Sequence, residues 1–401
     1  MLVGFADALA APEVAASLLQ AGHRVSGFTR RGETVALRKL HGVELVEVCA
    51  PEDDLPACAE EVAALAADHD LTMPLDDQAL LVCDLGLPAG APIAGPRGAQ
   101  ARLALDKRIQ LRAAEAAGLE VPPWVELALG DADEQGTRAA QKPTGWTPPT
   151  GWTLPAVLKP ALAAEEHDGR LRRLAPRLLS SEEQAGELLH TWGAETPALL
   201  QRWVSGTGAG VFGIADEGGV HLLSAHTRVR MMNPAGSGSS ACASAPVPQE
   251  LVAPIERMLA QAGWRGMFMV ELLRAGDRWW FMELNGRPWG SLALTRRLGY
   301  EYPAWAAARA FDEDAPLPPA PAPREKLVCR HLGRELVHLM FVLRGPGSHT
   351  GEWPRRRTTV RALLRGPRRS AWYNLGPGML GVFVDDTLRT LANQTWRRRR
   401  P

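Results

Sequence analysis

Two strand-like runs between residues 266 and 290 place strong limits on how this chain folds. They flank Gly276-Asp277, a dipeptide typical of a β-hairpin turn, and each run carries one carboxylate inside otherwise apolar sequence. The two acids are Glu271 and Glu283. Since an ion that is buried without a partner costs several kcal/mol, we expect a cation to hold them. Two edge-strand acids that face water are the alternative.

The length of the turn decides whether the two acids meet. With a three-residue turn at 276–278, Glu271 lies directly opposite Glu283, and Asn285 shares their face of the sheet. Two carboxylates and an amide oxygen are hard ligands suited to Mg²⁺. A two-residue turn would instead send the two acids to opposite faces. The alternation extends to Arg287, whose guanidinium suits phosphoryl oxygens or a substrate carboxylate.

Strands and helices alternate over the first hundred residues. Apolar runs and helical spacing predict strands at 2–5, 24–29 and 43–48 and helices at 12–20 and 60–67. This is the pattern of a small parallel sheet with helices on both faces. The first strand runs into Gly4-Phe5-Ala6-Asp7-Ala8-Leu9 without the phosphate-binding turn G-x-G-x-x-G, which argues against a nicotinamide dehydrogenase.

The middle of the chain contains one long loop and one linker. A helix is predicted over 99–117, and the Pro/Gly/Thr-rich stretch 131–155 contains a short duplication that is typical of an exposed loop. A strand at 156–159 follows, and strand–helix alternation continues to about residue 311. The Pro/Ala-rich segment 315–323 predicts a linker.

Charge is unevenly distributed, although the chain as a whole is neutral. From residue 321 to the end there are 17 Lys and Arg against 5 Asp and Glu, a net charge of +12, so residues 1–320 are acidic. Opposite potentials favour docking of the basic segment on the acidic body over the two alternatives, contact with an anionic surface or nucleic acid and a disordered, solvated end. Arg397–Arg400 are expected to be loose.

Composition and cysteine usage indicate a soluble protein of a reduced cytoplasm. No apolar run is long enough to predict a membrane span, and no basic and apolar leader opens the sequence. The five cysteines are scattered without a CxxC pair, which argues against a disulfide framework or a structural zinc site.

A second candidate strand carries cationic side chains. Alternation places His226, Arg228 and Arg230 on one face, ahead of a Gly/Ser-rich turn. This face suits a substrate carboxylate or an acyl phosphate, and a solvated strand is the alternative.

Taken together, these segments resemble the ATP-grasp superfamily. Glu271 followed by Glu283-Leu284-Asn285-Gly286-Arg287 is similar to its metal-binding E…E-x-N-x-R pattern. Three upstream segments of this chain also resemble parts of the family pattern, in the order that the family requires. The first is Leu105-Asp106-Lys107 with the following Ala117–Pro122, the second is Ala156–Pro160, and the third is Leu200–Gly206. The resemblance covers roughly residues 1–311 and is nearest to the carbamoyl-phosphate-synthase-like branch of carboxylate–amine ligases.

The resemblance implies a role for each matching residue. Glu271, Glu283 and Asn285 would hold Mg²⁺, with Mn²⁺ as a substitute, and Lys107 and Lys159 would neutralise the phosphates of ATP. Arg287 would stabilise the transferred phosphoryl group or the acyl phosphate. Arg228 and Arg230, from the strand alternation described above, are the other two candidate catalytic residues. The hinge that holds adenine would be formed by Gln201, Arg202, Trp203 and Val204.

One part of the sequence departs from the family pattern. The lid of such enzymes usually has a Gly/Ser-rich loop after its Lys-Pro, whereas residues 161–169 here contain one glycine. Closure over phosphates by a backbone nest is therefore in question, or the loop has been rebuilt. The hinge is also not followed by an acid that predicts a ribose ligand.

The expected architecture is α/β and α+β with five segments. These are a Rossmann-like domain (1–98), a central helix and linker (99–155), a lid (156–225), a metal-binding subdomain (226–314), and a Pro-rich linker with a basic extension (315–401). The expected activity is ATP-dependent ligation of a small carboxylate to an amine through an acyl phosphate. A biotin-carboxylase-type enzyme and a non-catalytic ATP-binding regulator are the alternatives, and a homodimer is a further expectation.

Overall fold

The computed structural model describes residues 1–127, 152–192, 197–322, 325–346 and 352–396. Most of the Pro/Gly/Thr-rich loop, with its duplication, lies outside these residues, and so do Arg397–Arg400. Among the described residues, no helix is long and apolar enough to cross a membrane.

The amino-terminal domain is a parallel sheet of four strands in the order β3-β2-β1-β4. Its strands are β1 (Leu2–Gly4), β2 (Val25–Arg30), β3 (Val43–Val48) and β4 (Thr72–Pro74). Its helices are α1 (Ala11–Gln20), α2 (Leu55–Ala67) and α3 (Asp77–Gly86), with a short 3₁₀ helix at Ala36–Lys39. The alternation in the sequence correctly predicts this sheet, since each crossover between parallel strands needs a helix or its equivalent.

Two short helices follow where the sequence predicts one. They are α4 (Ala99–Leu105) and α5 (Lys107–Ala116). The break is at Asp106, which has an extended backbone and caps α5 by accepting a hydrogen bond from Arg108 N. This cap places Lys107 at the first turn of α5.

The lid is built from a four-stranded sheet, a hairpin and a helix. In chain order its elements are β5 (Trp124–Leu127), β6 (Ala156–Pro160), β7 (Glu165–His167), β8 (Arg170–Arg172), β9 (Arg177–Leu179), α6 (Glu182–Trp192) and β10 (Ala198–Arg202). The sheet has the order β5-β10-β6-β9, and β7 and β8 form the separate hairpin.

A seven-stranded sheet carries the acidic hairpin, in the order β15-β14-β11-β12-β13-β16-β17. Its strands are β11 (Thr207–Asp216), β12 (Gly219–Asn233), β13 (Ser237–Ala245), β14 (Gly266–Ala275), β15 (Arg278–Asn285), β16 (Val328–Arg330) and β17 (Ser370–Trp372). The helices of this part of the chain are α7 (Gln249–Gln261), α8 (Leu292–Arg297), α9 (Tyr302–Phe311), α10 (Leu332–Arg344), α11 (Arg356–Arg365) and α12 (Leu380–Trp396).

Two predicted boundaries differ from this sheet. Residues 207–225 were grouped with the lid, but β11 and the start of β12 pair within the large sheet, because β11 lies between β12 and β14. The basic extension was treated as a separate segment, yet β16 pairs with β13 and β17 with β16. The extension therefore continues the sheet that carries the site.

One face of the large sheet packs against a hydrophobic core. The predicted metal-binding side chains therefore lie on the other face. Phe268, Val270 and Leu284 are fully buried on the core face, together with Leu111 of α5 and Met258 of α7. Alternation along β14 then turns Glu271 to the opposite face.

Candidate active site

The two acids of the hairpin lie directly opposite each other, as the sequence predicts, but for a different reason. Ala275 pairs with Arg278, so the turn has two residues and not three. A bulge between Glu271 and Leu272 then shifts the register by one, which makes Glu283 the partner of Glu271 and Asn285 the partner of Met269. The predicted consequence of a two-residue turn was therefore wrong, because a bulge adds one residue to one strand.

The bulge is visible in the burial pattern of β15. Phe281 and Leu284 are both fully buried in the same core although they are three residues apart. A regular strand would place them on opposite faces, so the change of phase between them locates the extra residue, Met282.

Glu283 is an acid without a partner. It forms no hydrogen bond or ion pair with any described residue, and burial raises the pKa of its carboxyl group. The neighbouring acids Asp77 and Glu271 raise this pKa further, whereas Lys107 and Arg287 oppose the shift. A partly desolvated carboxylate without an ion-pair partner is stabilised when a cation binds to it.

Arg228 reaches Glu271 across a neighbouring strand. Its Nη2 lies 2.8 Å from Glu271 Oε1. The side chain passes over Gly208 of β11, where a Cβ would lie 2.5 Å from Arg228 Cδ. Glycine at this position is therefore what allows a residue of β12 to contact one of β14, two strands away.

The two predicted phosphate lysines lie near these acids. Lys159 Nζ donates to Gln201 Oε1 at 2.6 Å, across the pair formed by β6 and β10. Burial lowers the pKa of Lys159 to about 8, and Lys107 adds to this shift while Glu283 and Glu271 oppose it. The Lys107 amide donates to the carbonyl of Ala161 at 2.8 Å, which ties α5 to the end of β6. The two lysines and the two acids are thus near enough for Lys107, Glu283 and Glu271 all to influence the pKa of Lys159.

Arg287 is fixed by an acid that the sequence analysis did not identify. Asp77, at the start of α3 in the amino-terminal domain, binds it through two contacts, Nε–Oδ1 at 2.9 Å and Nη2–Oδ2 at 3.1 Å. Burial alone would raise the pKa of Asp77, but Arg287 outweighs this effect, so that the pKa lies below its usual value. No motif joins two residues that are 210 positions apart, and an acid at a helix start is more often read as a helix cap.

Arg230 lies away from the acid pair. The strand is irregular between Arg228 and Arg230, so the two arginines do not continue one regular alternation. Arg230 contacts Glu335 of α10, a buried acid that also accepts from Arg330 Nε at 3.0 Å and from Ser240 Oγ at 2.7 Å. In this structure Arg230 joins the sheet to the extension.

His226 lies in the same row of the sheet as the acid pair. Gly210 pairs with both His226 and Glu271, and the space over this glycine is filled, since a Cβ there would lie 3.1 Å from His226 Nε2 and 3.1 Å from Met269 Cε. The imidazole is buried, neither ring nitrogen has a hydrogen-bond partner among the described residues, and burial lowers its pKa to about 3. It is therefore neutral at physiological pH, packed edge-on to Phe212 at 5.0 Å.

The predicted adenine hinge lies at the end of β10. The Arg202 amide donates to the carbonyl of Pro123 and the Trp203 amide to that of Pro155, which fixes the backbone ahead of Val204. Gln201 is buried, and its side-chain nitrogen has no partner among the described residues. An orphaned polar atom beside Lys159 is consistent with a polar ligand at this position.

The Gly-poor lid loop has been rebuilt as a hairpin. Strands β7 and β8 turn at Asp168-Gly169, both of which have positive φ, as hairpin turns of this kind require. The hairpin docks on the amino-terminal domain through hydrogen bonds from the Leu171 amide to the Pro51 carbonyl and from the Leu55 amide to the Gly169 carbonyl. Residues 161–172 thus close against another domain.

The donor set fits a hard divalent cation. Within the described part of the chain, no group of three or more His, Cys, Asp or Glu side chains has the geometry to hold a metal. The predicted site supplies two carboxylates and the amide of Asn285, which suits an ion that keeps water or phosphate oxygens as its other ligands. The unpaired carboxylate of Glu283 is the observation that supports this fit.

Comparison with known proteins shows the fold. No family model matches the chain, and none of the curated proteins matches it. An L-amino acid ligase from Bacillus licheniformis has a similar structure, with 15% identity, 78% of this chain and 73% of that chain covered, and a TM-score of 0.55.

Two other solved structures are similar. An N5-carboxyaminoimidazole ribonucleotide synthetase from Thermus thermophilus is 18% identical over 81% of both chains, with a TM-score of 0.55. A biotin carboxylase from Campylobacter jejuni is 16% identical and covers 80% of this chain and 71% of its own, with a TM-score of 0.54. These likenesses show the ATP-grasp fold for this chain.

Proposed function

Since the chain has the ATP-grasp fold, we propose that it is an ATP-dependent ligase that activates a carboxylate as an acyl phosphate and joins it to an amine. One observation carries the proposal. Glu283 is half-buried, has no hydrogen-bond or ion-pair partner among the described residues and lies opposite Glu271, and the charges of Lys107, Lys159 and Arg287 act on it. This arrangement of charges suits a metal-bound polyphosphate better than a neutral ligand.

The side chains divide into a metal-binding group and a phosphate-binding group. Glu271, Glu283 and Asn285 would hold Mg²⁺, which supplies charge neutralisation at the terminal phosphates when it is bound. Lys107 and Lys159 would balance the remaining phosphate charge from the other side. Because phosphoryl transfer depends mainly on positioning and electrostatics, fixed cations are the main contribution that a protein makes to it.

The two arginines near the acids have different surroundings and, we infer, different roles. Arg287 is locked by Asp77 in a fixed orientation, which suits a group that stabilises negative charge without moving. Arg228 contacts Glu271, a predicted metal ligand, so binding of the metal would compete for that carboxylate. Arg228 would then be free to orient the carboxylate substrate or the acyl phosphate.

Release of ADP tests the proposal directly. The full chain is screened with Mg-ATP and mixtures of amino acids and small carboxylic acids, with a coupled assay for ADP. We expect substrate-dependent ADP release by the wild type and none by Glu283→Gln, because the variant lacks a charge that the metal requires. Glu44→Gln is the matched control, since Glu44 is exposed on β3 and should behave like the wild type. Wild-type turnover in Glu283→Gln at saturating magnesium would reject the metal assignment.

The same screen separates the alternative functions. A regulator that only binds ATP would show nucleotide binding without ADP release under any substrate mixture. A carboxylase of the biotin type would release ADP with bicarbonate and biotin in the absence of an amine. Amine-dependent amide formation, detected by mass spectrometry of the product, supports the ligase.

A further inference from the structure

Helix α11 is the most basic exposed element of the described structure. Residues 355–369 contain seven arginines and no Asp or Glu. Arg369 pairs with Glu325, and Arg356 Nη2 donates to the carbonyl of Leu343 at 2.8 Å. The other five form no ion pair with a described residue, so their charges face solvent. They are Arg355, Arg357, Arg361, Arg365 and Arg368.

The hydrophobic core does not account for this helix. Of its ten residues, Thr359 alone is buried. Seven like charges in one short segment repel one another, and an isolated helix of this length is marginal in water. A folded helix with this composition and so little burial is therefore better explained by binding to a partner than by a role in stabilising the fold.

The side chains of α11 are arranged in two adjoining stripes. Arg357, Arg361 and Arg365 recur at every fourth position and share one outward face. Val360 and Leu364 have the same spacing on the adjoining face, where they are 37% and 82% exposed. The helix thus presents a cationic stripe beside an aliphatic one.

The aliphatic stripe continues onto the end of α10. Leu343 is 48% exposed and lies beside α11, because Arg356 bonds to its carbonyl group. Val360 and Leu364 continue, at four-residue spacing, the face of α11 that begins at Arg356, so Leu343 lies at the start of that exposed aliphatic stripe. We call these three aliphatic residues, with Arg357, Arg361 and Arg365, the α11 surface.

We propose that the α11 surface binds peripherally to an anionic lipid bilayer. Helices that lie on bilayers combine Arg on the polar side with aliphatic side chains that enter the headgroup region. Clusters of four to eight basic residues on such helices are attracted to acidic lipids. This binding is independent of the ATP-dependent activity and requires no helix that crosses the membrane.

The aliphatic residues favour a bilayer over a nucleic acid. Proteins that bind single-stranded nucleic acids stack bases on aromatic rings, and α11 contains no aromatic residue. Phosphate binding alone would give no use to Leu364, the most exposed large apolar residue among the described residues. On a bilayer that side chain has an apolar environment to enter.

Vesicle sedimentation tests the proposal with the full-length protein. The vesicles are phosphatidylcholine alone and phosphatidylcholine mixed with phosphatidylglycerol, at low and at physiological salt. We expect salt-sensitive binding to the mixed vesicles and none to phosphatidylcholine. The triple variant Arg357→Gln, Arg361→Gln, Arg365→Gln should bind on the order of 100-fold more weakly, at about 1 kcal/mol for each arginine.

A matched control removes three exposed arginines elsewhere. Arg24→Gln, Arg102→Gln, Arg177→Gln changes net charge equally and should bind vesicles within a few-fold of the wild type. A chain that ends at Trp396 tests whether the terminal arginines suffice, and it too should retain binding. Circular dichroism checks that every variant is folded.

Leu364→Ser distinguishes a bilayer from other anionic partners. It should weaken vesicle binding while leaving any binding to RNA or to poly-glutamate unchanged. Absence of binding to the mixed vesicles at low salt would overturn the proposal. So would equal binding by the wild type and the triple variant, or binding to RNA that is tighter than binding to vesicles and insensitive to Leu364→Ser.

Discussion

Asp77 holds the arginine on which the proposed chemistry depends. It belongs to the amino-terminal domain, whereas Arg287 follows the acidic hairpin, so their ion pair also joins two parts of the chain. Both side chains are largely buried. Removing one partner of such a pair leaves an uncompensated charge and a freed side chain.

We expect Asp77→Asn to lower kcat about 10- to 100-fold, as is typical when a residue that orients a functional group is changed. The KM for ATP should change less, because the nucleotide contacts proposed for Lys159 and the hinge remain. Asp77→Glu should recover part of the activity by restoring the charge. Steady-state kinetics on the three proteins measure this, and an unchanged kcat in Asp77→Asn would show that Arg287 needs no fixed orientation.

The lowered pKa of Lys159 predicts that ATP binding depends on pH. Its pKa of about 8 in the protein lies below the usual value, so the ammonium loses its proton as pH rises through about 8. Since phosphates bind the protonated form, ATP affinity should fall above that pH, by at most about tenfold per pH unit. Lys159→Arg keeps its charge and should flatten this slope in a nucleotide titration.

Two alanine variants compare the contributions of Lys159 and Lys107 to ATP binding. Lys159→Ala should weaken ATP binding more than Lys107→Ala, because Lys159 lies near the end of an apolar strand and its Nζ is held beside the proposed hinge by Gln201. Equal and negligible effects would show that neither lysine contacts the phosphates. The same pH slope in Lys159→Arg as in the wild type would assign the titration to another group.

A substitution at Gly208 tests whether the contact between Arg228 and Glu271 matters for activity. Alanine there would place a Cβ 2.5 Å from Arg228 Cδ, so the arginine must move off the acid. We expect Gly208→Ala to lower kcat/KM for the carboxylate substrate nearly as much as Arg228→Ala does. Gly186→Ala is the control, since a Cβ at Gly186 meets nothing within 4 Å. Full activity in Gly208→Ala would mean that the Arg228–Glu271 contact is dispensable.

The elements of the fold were predictable where one local pattern decides the structure. The parallel sheet of the first domain followed from apolar runs that alternate with helical spacing. The helix break at Asp106 was missed because a single capping residue interrupts an otherwise continuous pattern. The facing acids were predicted from a turn of the wrong length, and the bulge that restores their register depends on packing around Phe281 and Leu284.

The β7–β8 hairpin yields a prediction at the scale of one element. Leu171 is buried between the lid and the amino-terminal domain, with its amide bonded to Pro51. Leu171→Asp should release the hairpin, because a buried carboxylate without a partner is unfavourable there. We expect a higher KM for ATP and more ADP released without ligation product. Arg172→Asp, at an exposed position of the same strand, is the control. Unchanged coupling in Leu171→Asp would show that docking of the hairpin does not matter for the reaction.

A buried carboxylate connects the amino-terminal domain, helix α8 and the carboxy-terminal extension, and no sequence pattern predicts this contact. Glu13 of α1 accepts hydrogen bonds from Arg296 and Arg297 of α8 and from the amide of Asn374 in the extension. Three segments distant in sequence meet there, and only the assembled fold brings them together. The uneven charge predicted that basic side chains of the extension meet an acidic body, whereas the ion pairs between them in the described structure join body arginines to extension acids, Arg230 to Glu335 and Arg38 to Asp385.

The extension should therefore contribute to stability. Val382 of α12 is fully buried in a cluster that also contains Leu37 from the amino-terminal domain. Val382→Asp would bury a charge in this cluster, and we expect it to lower Tm by roughly 5–10 °C. Removal of residues 321–401 should cost more, because it strips β16 from β13 and leaves Glu13 without one of its donors. Trimming residues 397–401 should change Tm little. Differential scanning calorimetry on these proteins decides the matter, and a wild-type Tm in Val382→Asp would mean that the extension folds on the body without stabilising it.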